Sequence, residues 1–236
     1  LLFILQKRTI LSGILIALVI ITKPFFILLL IPIIIRRYFK TLYTVGLSLI
    51  VFIIAPALLF GINGDIELHK QWLNAMLQHA DSFPSPNTID SLVRHYFFPA
   101  LSDNFQYIVM LALLIPYLIF SIKSKPREKQ QASTLVIEWF ALIAILPSLF
   151  RTDVEHFLMT LPIILFILIY LSSHKNILLI ISFIVLVVLY TGNSSDLLGK
   201  NLSQIVYNMG LLGISNLLII AMGLYLYRSE ERRVGR

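Results

Sequence analysis

The stretch TILSGILIALVIITKPFFILLLIPIIIRR, residues 9–37, decides the fold class, because its first 27 residues carry a single charge, Lys23. One helix needs about 20 apolar residues to cross a bilayer. Basic residues stand at both ends of this run, Lys-Arg before it and Arg-Arg after it, and such residues favour the cytoplasmic side. We therefore predict two short helices that meet at Lys23 and Pro24, a hairpin whose tip lies within the membrane.

The rest of the chain has the composition of a membrane protein. Of its 236 residues, 58% are hydrophobic and only 13% are charged, which is far outside the range of a soluble domain. The formal net charge of +7 comes from short basic segments beside apolar runs, so membrane topology explains it and nucleic acid is excluded as a partner. Without cysteine, the chain has no disulfide, no thiolate metal site and no thiol nucleophile.

Further apolar runs predict further spans, which the positions of Lys and Arg orient. The predicted fold is all-α, a polytopic transmembrane helix bundle of the plasma (inner) membrane with residues 1–236 as one domain. Because residues 1–5 look like the end of a span, we expect the C-terminal portion of a longer protein. Residues 228–236 are expected to be a charged cytosolic tail or sequence from a cloning junction. The predicted spans are residues 42–60, 105–122, 133–150, 156–171, 176–190 and a last one that ends near residue 227.

Residues 61–104 form the one long segment that is not built to lie in lipid, and we predict that it is an extracytoplasmic loop. Residues 66–80 have the periodicity of an amphipathic helix, which would lie on the membrane surface with Trp72 among the headgroups. A second short helix follows, with Asn87 as its expected cap and with Asp90 and Arg94 four residues apart, so that they can form an ion pair. Such a loop fits either a structural lid or an enzyme that takes a lipid-borne substrate from the outer leaflet.

Three stretches resemble the integral-membrane glycosyltransferases of the GT-C superfamily, and most closely glycosyltransferase family 87. The first is GILIALVIITKPFFILLLIPIIIRR at residues 13–37, a helix with small residues that runs into Lys-Pro and ends in Arg-Arg. The second is Trp72 followed by NTIDSLVR at residues 87–94, and the third is RTDVEHFLMTLPIILF at residues 151–166, an outer turn with a histidine before an apolar helix.

The resemblance implies inverting transfer of a hexose, mannose-like, or of a pentose from a polyprenyl-phosphate donor to an envelope glycan or glycolipid acceptor. The reaction would take place on the extracytoplasmic face, at the surface of the membrane lipid. Members of the superfamily carry their catalytic carboxylate in the first extracytoplasmic loop, so the resemblance places it upstream of Leu1. No residue of this chain is therefore assigned as the catalytic base, and no cofactor is expected.

Lys23, Arg94 and His95 are candidates for binding the donor. An ionisable residue at membrane depth is costly and often functional, so Lys23 would meet the lipid phosphate; alternatively, it extends to the outer headgroups. Arg94 can hold a phosphate through two parallel hydrogen bonds, with His95 beside it; alternatively, Arg94 only pairs with Asp90.

A short outer turn brings Arg151, Asp153, Glu155 and His156 together in the sequence. These side chains suit sugar hydroxyls or a phosphate, and the carboxylates leave a hard divalent cation open, although no metal site is assigned. The alternative is a solvated turn with local ion pairs. Glu138 lies one turn into a predicted span, and we expect it to extend to the cytoplasmic surface.

Two other classes of function remain open from the sequence. A transporter or lipid-linked glycan flippase would have paired broken helices and charges within several spans, whereas only one broken segment is visible here. An O-antigen ligase or polymerase also has a large outer loop, but that class depends on basic residues in the loop, and this loop is mildly acidic.

Overall fold

The computed structural model describes residues 1–81, 86–100, 105–124, 131–192 and 194–234, and all regular structure in these ranges is helical. This confirms the all-α prediction. Parts of the predicted outer loop, 82–85 and 101–104, and the basic segment 125–130 lie outside the described residues. The α-helices are α1 (Leu2–Leu5), α2 (Thr9–Thr22), α3 (Leu30–Ile35), α4 (Phe39–Ile54), α5 (Ala57–Asp81), α6 (Ile89–Tyr96), α7 (Phe105–Lys123), α8 (Gln131–Leu149), α9 (Leu161–Ser173), α10 (Ile177–Thr191), α11 (Ser195–Asn208) and α12 (Leu211–Val234), and 3-10 helices cover Pro24–Leu29 and Val154–Thr160.

The apolar helices provide three to five candidate membrane spans among the described residues. Three are long and apolar enough alone: Gln131–Leu149, Val154–Ser173 and Leu211–Arg233. Two more arise if a bent pair is one span, α4 with α5 (87°) and α10 with α11 (82°). The fold is thus consistent with a polytopic bundle.

The predicted span 42–60 is interrupted near its outer end. Helix α4 stops at Ile54, and α5 begins at Ala57 after Pro56, which has no N–H to continue the ladder. Gly61 (φ 70°, ψ 169°) then kinks α5. The apolar side chains predicted on one face, including Leu73 and Leu77, are exposed, as expected for a helix whose apolar face contacts lipid.

Between the predicted span 176–190 and the last predicted span, residues 195–204 are helical and belong to α11. Ser194 caps helix α11 by accepting a hydrogen bond from the Asp196 N–H. Gly199 (φ 73°) kinks the helix, and Leu202 and Ile205 are exposed on it. A second amphipathic segment therefore follows α10.

Contacts between residues group the chain into two compact units, 1–83 with 131–139 and 84–130 with 140–236. In the first unit α2 packs along α4. Gly13, the fifth residue of α2, lies against Thr44, the sixth of α4. Because the two starts are neighbours and the helices pack along their length, they run in the same direction. Residues 24–35 return between them, which agrees with the predicted break at Lys23.

The hairpin begins and ends in two turns of the same shape. Lys7 and Arg37 both have φ 59°, in the left-handed region. In each turn the next N–H bonds to a carbonyl five residues back, from Arg8 to Phe3 O (2.9 Å) and from Tyr38 to Ile33 O (3.0 Å). This Schellman arrangement ends α1 and α3 and lets α2 and α4 begin.

Glu138 does not reach the surface, contrary to the sequence-based expectation. Its carboxylate is fully buried and forms a bidentate ion pair with Arg36, in which Nε donates to Oε2 at 3.0 Å and Nη2 donates to Oε1. Burial raises the pKa of Tyr38, which follows in the same turn, so that side chain stays neutral. The Arg36 guanidinium bonds to the Glu138 carboxylate inside the unit, so the carboxylate does not have to reach the lipid headgroups to be solvated.

In the second unit α9 and α10 pack against α12, and α6 packs against α7 and α12. Helices α9 and α12 approach closely at Gly223, where an added Cβ would lie 2.7 Å from Ile163 Cγ2. Ile163, Ile167 and Ile219 are fully buried here. Helix α12 is therefore the element against which α6, α9, α10 and α11 all pack.

Replacing Gly13 with alanine is expected to destabilise the protein by about 1–3 kcal/mol, because the new methyl would lie 2.5 Å from Thr44 Cβ. Gly46→Ala is the matched control, since nothing lies within 4 Å of a Cβ there. Thermal unfolding in detergent measures both variants. Equal midpoints would contradict the close packing of α2 against α4.

Removing Glu138 is expected to cost about 3–5 kcal/mol, because Glu138→Ala leaves the Arg36 charge buried without its partner. The double variant Arg36→Met/Glu138→Met is expected to recover most of that loss. Arg37→Ala, at an exposed position, serves as the control for loss of a cation. If Glu138→Ala unfolds at the same denaturant concentration as Arg37→Ala, the Arg36–Glu138 ion pair does not stabilise the protein.

Candidate functional site

The second helix of the predicted outer loop begins one residue later than expected. Thr88, not Asn87, is the N-cap of α6, and its Oγ1 accepts a hydrogen bond from the Ser91 N–H at 3.4 Å. Asn87 has a different role: its buried Oδ1 accepts a hydrogen bond from the Gly213 N–H at 3.1 Å. Because Thr88 caps α6, the Asn87 side chain instead attaches the start of this helix to α12.

The turn before α12 is shaped to receive α6. At Gly210 (φ 66°) an added Cβ would lie 2.5 Å from both Leu92 Cδ2 and Pro86 O. Gly213 approaches the backbone of Asn87 just as closely. Both positions therefore require glycine. The Tyr96 hydroxyl, at the other end of α6, donates to Met209 O at 2.8 Å, so both ends of α6 are attached to residues 209–213.

On the polar side of α6, the predicted ion pair is confirmed. Arg94 Nε donates to both carboxylate oxygens of Asp90, at 3.1 and 3.2 Å. Arg94 is half-buried, while His95 is exposed and packs edge-to-face on Tyr96 with ring centroids 4.6 Å apart. Helix α6, which is attached at both ends, thus carries a guanidinium and an imidazole on consecutive residues.

The second polar segment lies between α8 and α9. Arg151 is exposed, Asp153 is the N-cap of the 3-10 helix Val154–Thr160, and His156 is half-buried within it. The Asp153 carbonyl accepts a hydrogen bond from the His156 N–H at 3.0 Å. Among the residues that the structure describes, no three His, Asp or Glu side chains come together in an arrangement that could hold a metal ion.

A buried polar network holds the end of this 3-10 helix. The Thr160 hydroxyl donates to Asn216 Oδ1, and Asn216 Nδ2 donates to Ala144 O and to Ser148 Oγ, both at 3.0 Å. The side chains of Ser148, Thr160 and Asn216 are fully buried. The sequence analysis missed Asn216, although a lone amide in the apolar run GISNLLII is the kind of signal that marks a site within a membrane.

Both polar segments are attached to the same stretch of α12. Asn87 bonds to Gly213 and Thr160 bonds to Asn216, and three residues of an α-helix span about 4.5 Å. The segments that carry these candidate residues are therefore attached to neighbouring residues of α12, Arg94 and His95 through α6 and Arg151, Asp153 and His156 through the 3-10 helix. Five of the six residues predicted from the sequence belong to these two segments.

Lys23, the sixth, belongs to the first unit. It follows the last residue of α2 with extended backbone angles (φ −139°, ψ 95°) and is half-exposed. Its ammonium nitrogen lies 6.0 Å from the centroid of the Phe25 ring, at the distance limit of a cation–π contact. A cation thus stands at the break between the two short helices.

Apolar helices of spanning length, together with polar segments attached to α12, are the features of an integral-membrane protein. The family model of glycosyltransferase family 87 matches residues 1–170. The chain belongs to this family and is a membrane glycosyltransferase. The match includes all six candidate residues. No curated protein and no solved structure shows significant similarity to the chain.

Asn87→Ala is expected to loosen the outer helix, because it leaves the buried Gly213 N–H without its acceptor, at a cost of about 1–3 kcal/mol. Limited proteolysis within residues 82–104 is expected to accelerate roughly tenfold. Asn74→Ala, at an exposed position on α5, should leave the cleavage rate unchanged. Equal rates for the two variants would mean that Asn87 does not attach the loop.

Proposed function

We propose that the protein transfers a hexose, mannose-like, or a pentose from a polyprenyl-phosphate sugar to an envelope glycan or glycolipid. The observation that carries this proposal is the attachment of α6 and of the 151–160 segment to one stretch of α12. The two attached segments carry two guanidinium groups (Arg94 and Arg151), two imidazoles (His95 and His156) and the Asp153 carboxylate. A donor with a lipid tail and an anionic phosphate presents the complementary chemistry.

Arg94 is proposed to bind the donor phosphate. Its half-buried guanidinium is held on a helix that is attached at both ends, so little conformational freedom is lost on binding. Planar donors in a fixed geometry suit phosphate oxygens better than a flexible ammonium does. His95, the next residue, would donate to the same phosphate or to the sugar.

The 151–156 turn is proposed to bind the sugar and the second side of the phosphate. Arg151 and His156 offer donors, and the Asp153 carboxylate offers acceptors that suit sugar hydroxyls. Such contacts orient the anomeric carbon toward the acceptor, and orientation supplies much of the catalysis in a two-substrate reaction. Lys23, in the first unit, is proposed separately to bind a lipid phosphate at the break between the two short helices.

The proposed reaction is inverting. The acceptor hydroxyl oxygen forms a bond to the anomeric carbon, the bond from that carbon to the phosphate oxygen breaks, and polyprenyl phosphate leaves with the electron pair. A carboxylate takes the proton of the hydroxyl. The residues of this chain are assigned only to binding and orientation, on the extracytoplasmic face of a multi-pass protein in the plasma membrane.

The proposal is tested by sugar transfer in proteoliposomes that contain the full-length protein. Labelled polyprenyl-phosphate mannose and a polyprenyl-phosphate pentose are the donors. Arg94→Ala is expected to lower kcat/KM at least tenfold, because a hydrogen bond to a charged group contributes about 1.5–3 kcal/mol. Lys23→Ala is also expected to lower the rate.

Two controls make this test specific. Asp90→Asn breaks the same ion pair but keeps the Arg94 guanidinium, so it should retain most of the activity. Lys175→Ala removes an exposed cation between α9 and α10 and should be neutral. Equal losses in Arg94→Ala and Asp90→Asn would reduce Arg94 to a structural partner, and full activity in both Arg94→Ala and Lys23→Ala would overturn the site assignment.

A further inference from the structure

We propose that Thr160 and Asn216 are positioning residues, which hold the 3-10 helix Val154–Thr160 in the geometry that His156 needs to bind the donor. The inference rests on the proposed function, because it concerns the same site. It adds two residues within the apolar core, neither of which contacts the substrate in the proposal.

The hydrogen bonds of Asn216 join three separate parts of the second unit. Its amide donates to α8 at Ala144 and Ser148, and its carbonyl oxygen accepts from Thr160 at the end of the 3-10 helix. The fully buried side chain thus uses both amide hydrogens and its oxygen. In an apolar bundle each of these groups would be costly without a partner.

The 3-10 helix itself needs such support. It has seven residues, whereas 3-10 runs longer than three or four residues are uncommon because their hydrogen-bond geometry is poor. A second buried side chain also holds it, since the Tyr190 hydroxyl donates to Phe157 O. Contacts from α10 and α12 therefore fix a segment whose own backbone bonds are weak.

The 3-10 geometry sets the direction of His156. A 3-10 helix turns by about 120° per residue and an α-helix by about 100°. Over the four residues from Thr160 back to His156, the two geometries differ by about 80°. If the segment were released and continued the α-helix of α9 backward, the imidazole would point to a different side. Holding Thr160 therefore determines which surface His156 faces.

The neighbouring Ser215 shows how a merely local polar residue behaves in the same helix. It is as deeply buried as Asn216, but its hydroxyl donates to Leu211 O at 2.7 Å and to Leu212 O at 3.0 Å, both within α12. The Ser215 hydroxyl bonds to carbonyl groups of its own helix, whereas the Asn216 side chain bonds to α8 and to the 3-10 helix Val154–Thr160. The pair provides a matched comparison for experiment.

The test combines a mobility measurement with kinetics in the full-length protein. A nitroxide attached to Glu155→Cys, an exposed position in the segment, reports its order; the chain has no cysteine of its own. Thr160→Val keeps the shape of the side chain but removes the hydroxyl, while Thr160→Ser keeps the hydroxyl. We expect Thr160→Val to increase the nitroxide mobility, and expect Thr160→Ser and Ser215→Ala to match the parent.

Without the nitroxide, Thr160→Val is expected to raise KM for the polyprenyl-phosphate donor about tenfold with kcat within about twofold, because uniform binding is lost while the chemical step is kept. Thr160→Ser is expected to restore KM. Unchanged mobility in Thr160→Val overturns the inference, and so does raised mobility with an unchanged KM. If the parent protein transfers no sugar from these donors, the proposed function fails, while the mobility data still decide whether Thr160 fixes the segment.

Discussion

The structure depends on one constraint: polar groups inside an apolar helix bundle must find their partners within the protein. Asn216 meets it with three hydrogen bonds to other elements, and the Arg36–Glu138 pair meets it with a bidentate contact. Apolar side chains pack in many alternative ways at similar free energy. A buried polar group accepts far fewer arrangements, and so each of these contacts selects a particular packing within its unit.

The same constraint organises the candidate site. Asn87 satisfies a buried backbone N–H of α12, and Thr160 satisfies Asn216 one turn further along. Neither contact involves a residue that we assign to substrate binding. Buried contacts therefore hold the two segments that carry the polar candidate residues. The positions of the exposed residues Arg151 and His95 depend on these contacts. A rigid support of this kind is what precise orientation of a substrate requires.

The sequence predicted the helical class, the break at Lys23, the two helices of the outer loop and the Asp90–Arg94 pair. Each of these depends on local composition or spacing. The sequence did not predict the burial of Glu138 or the network of Asn216, because their partners lie 102 residues away and 56 to 72 residues away along the chain. Periodicity identifies which residues avoid water, but it carries no information on which distant polar groups meet. The cap of α6 was misassigned between two adjacent residues that both favour capping.

Lys7 and Arg37 occupy a backbone conformation that glycine adopts without strain and that costs other residues about 1–2 kcal/mol. Glycine at either position would ease the turn, yet it would remove a cation from the boundary of a membrane segment. During insertion, cations beside an apolar segment favour the cytoplasmic side of a membrane, before any tertiary contact exists. The strained turns are thus consistent with a compromise between biogenesis and the finished fold: a cation is kept where the sequence predicts a membrane boundary, and the mature protein retains the backbone strain.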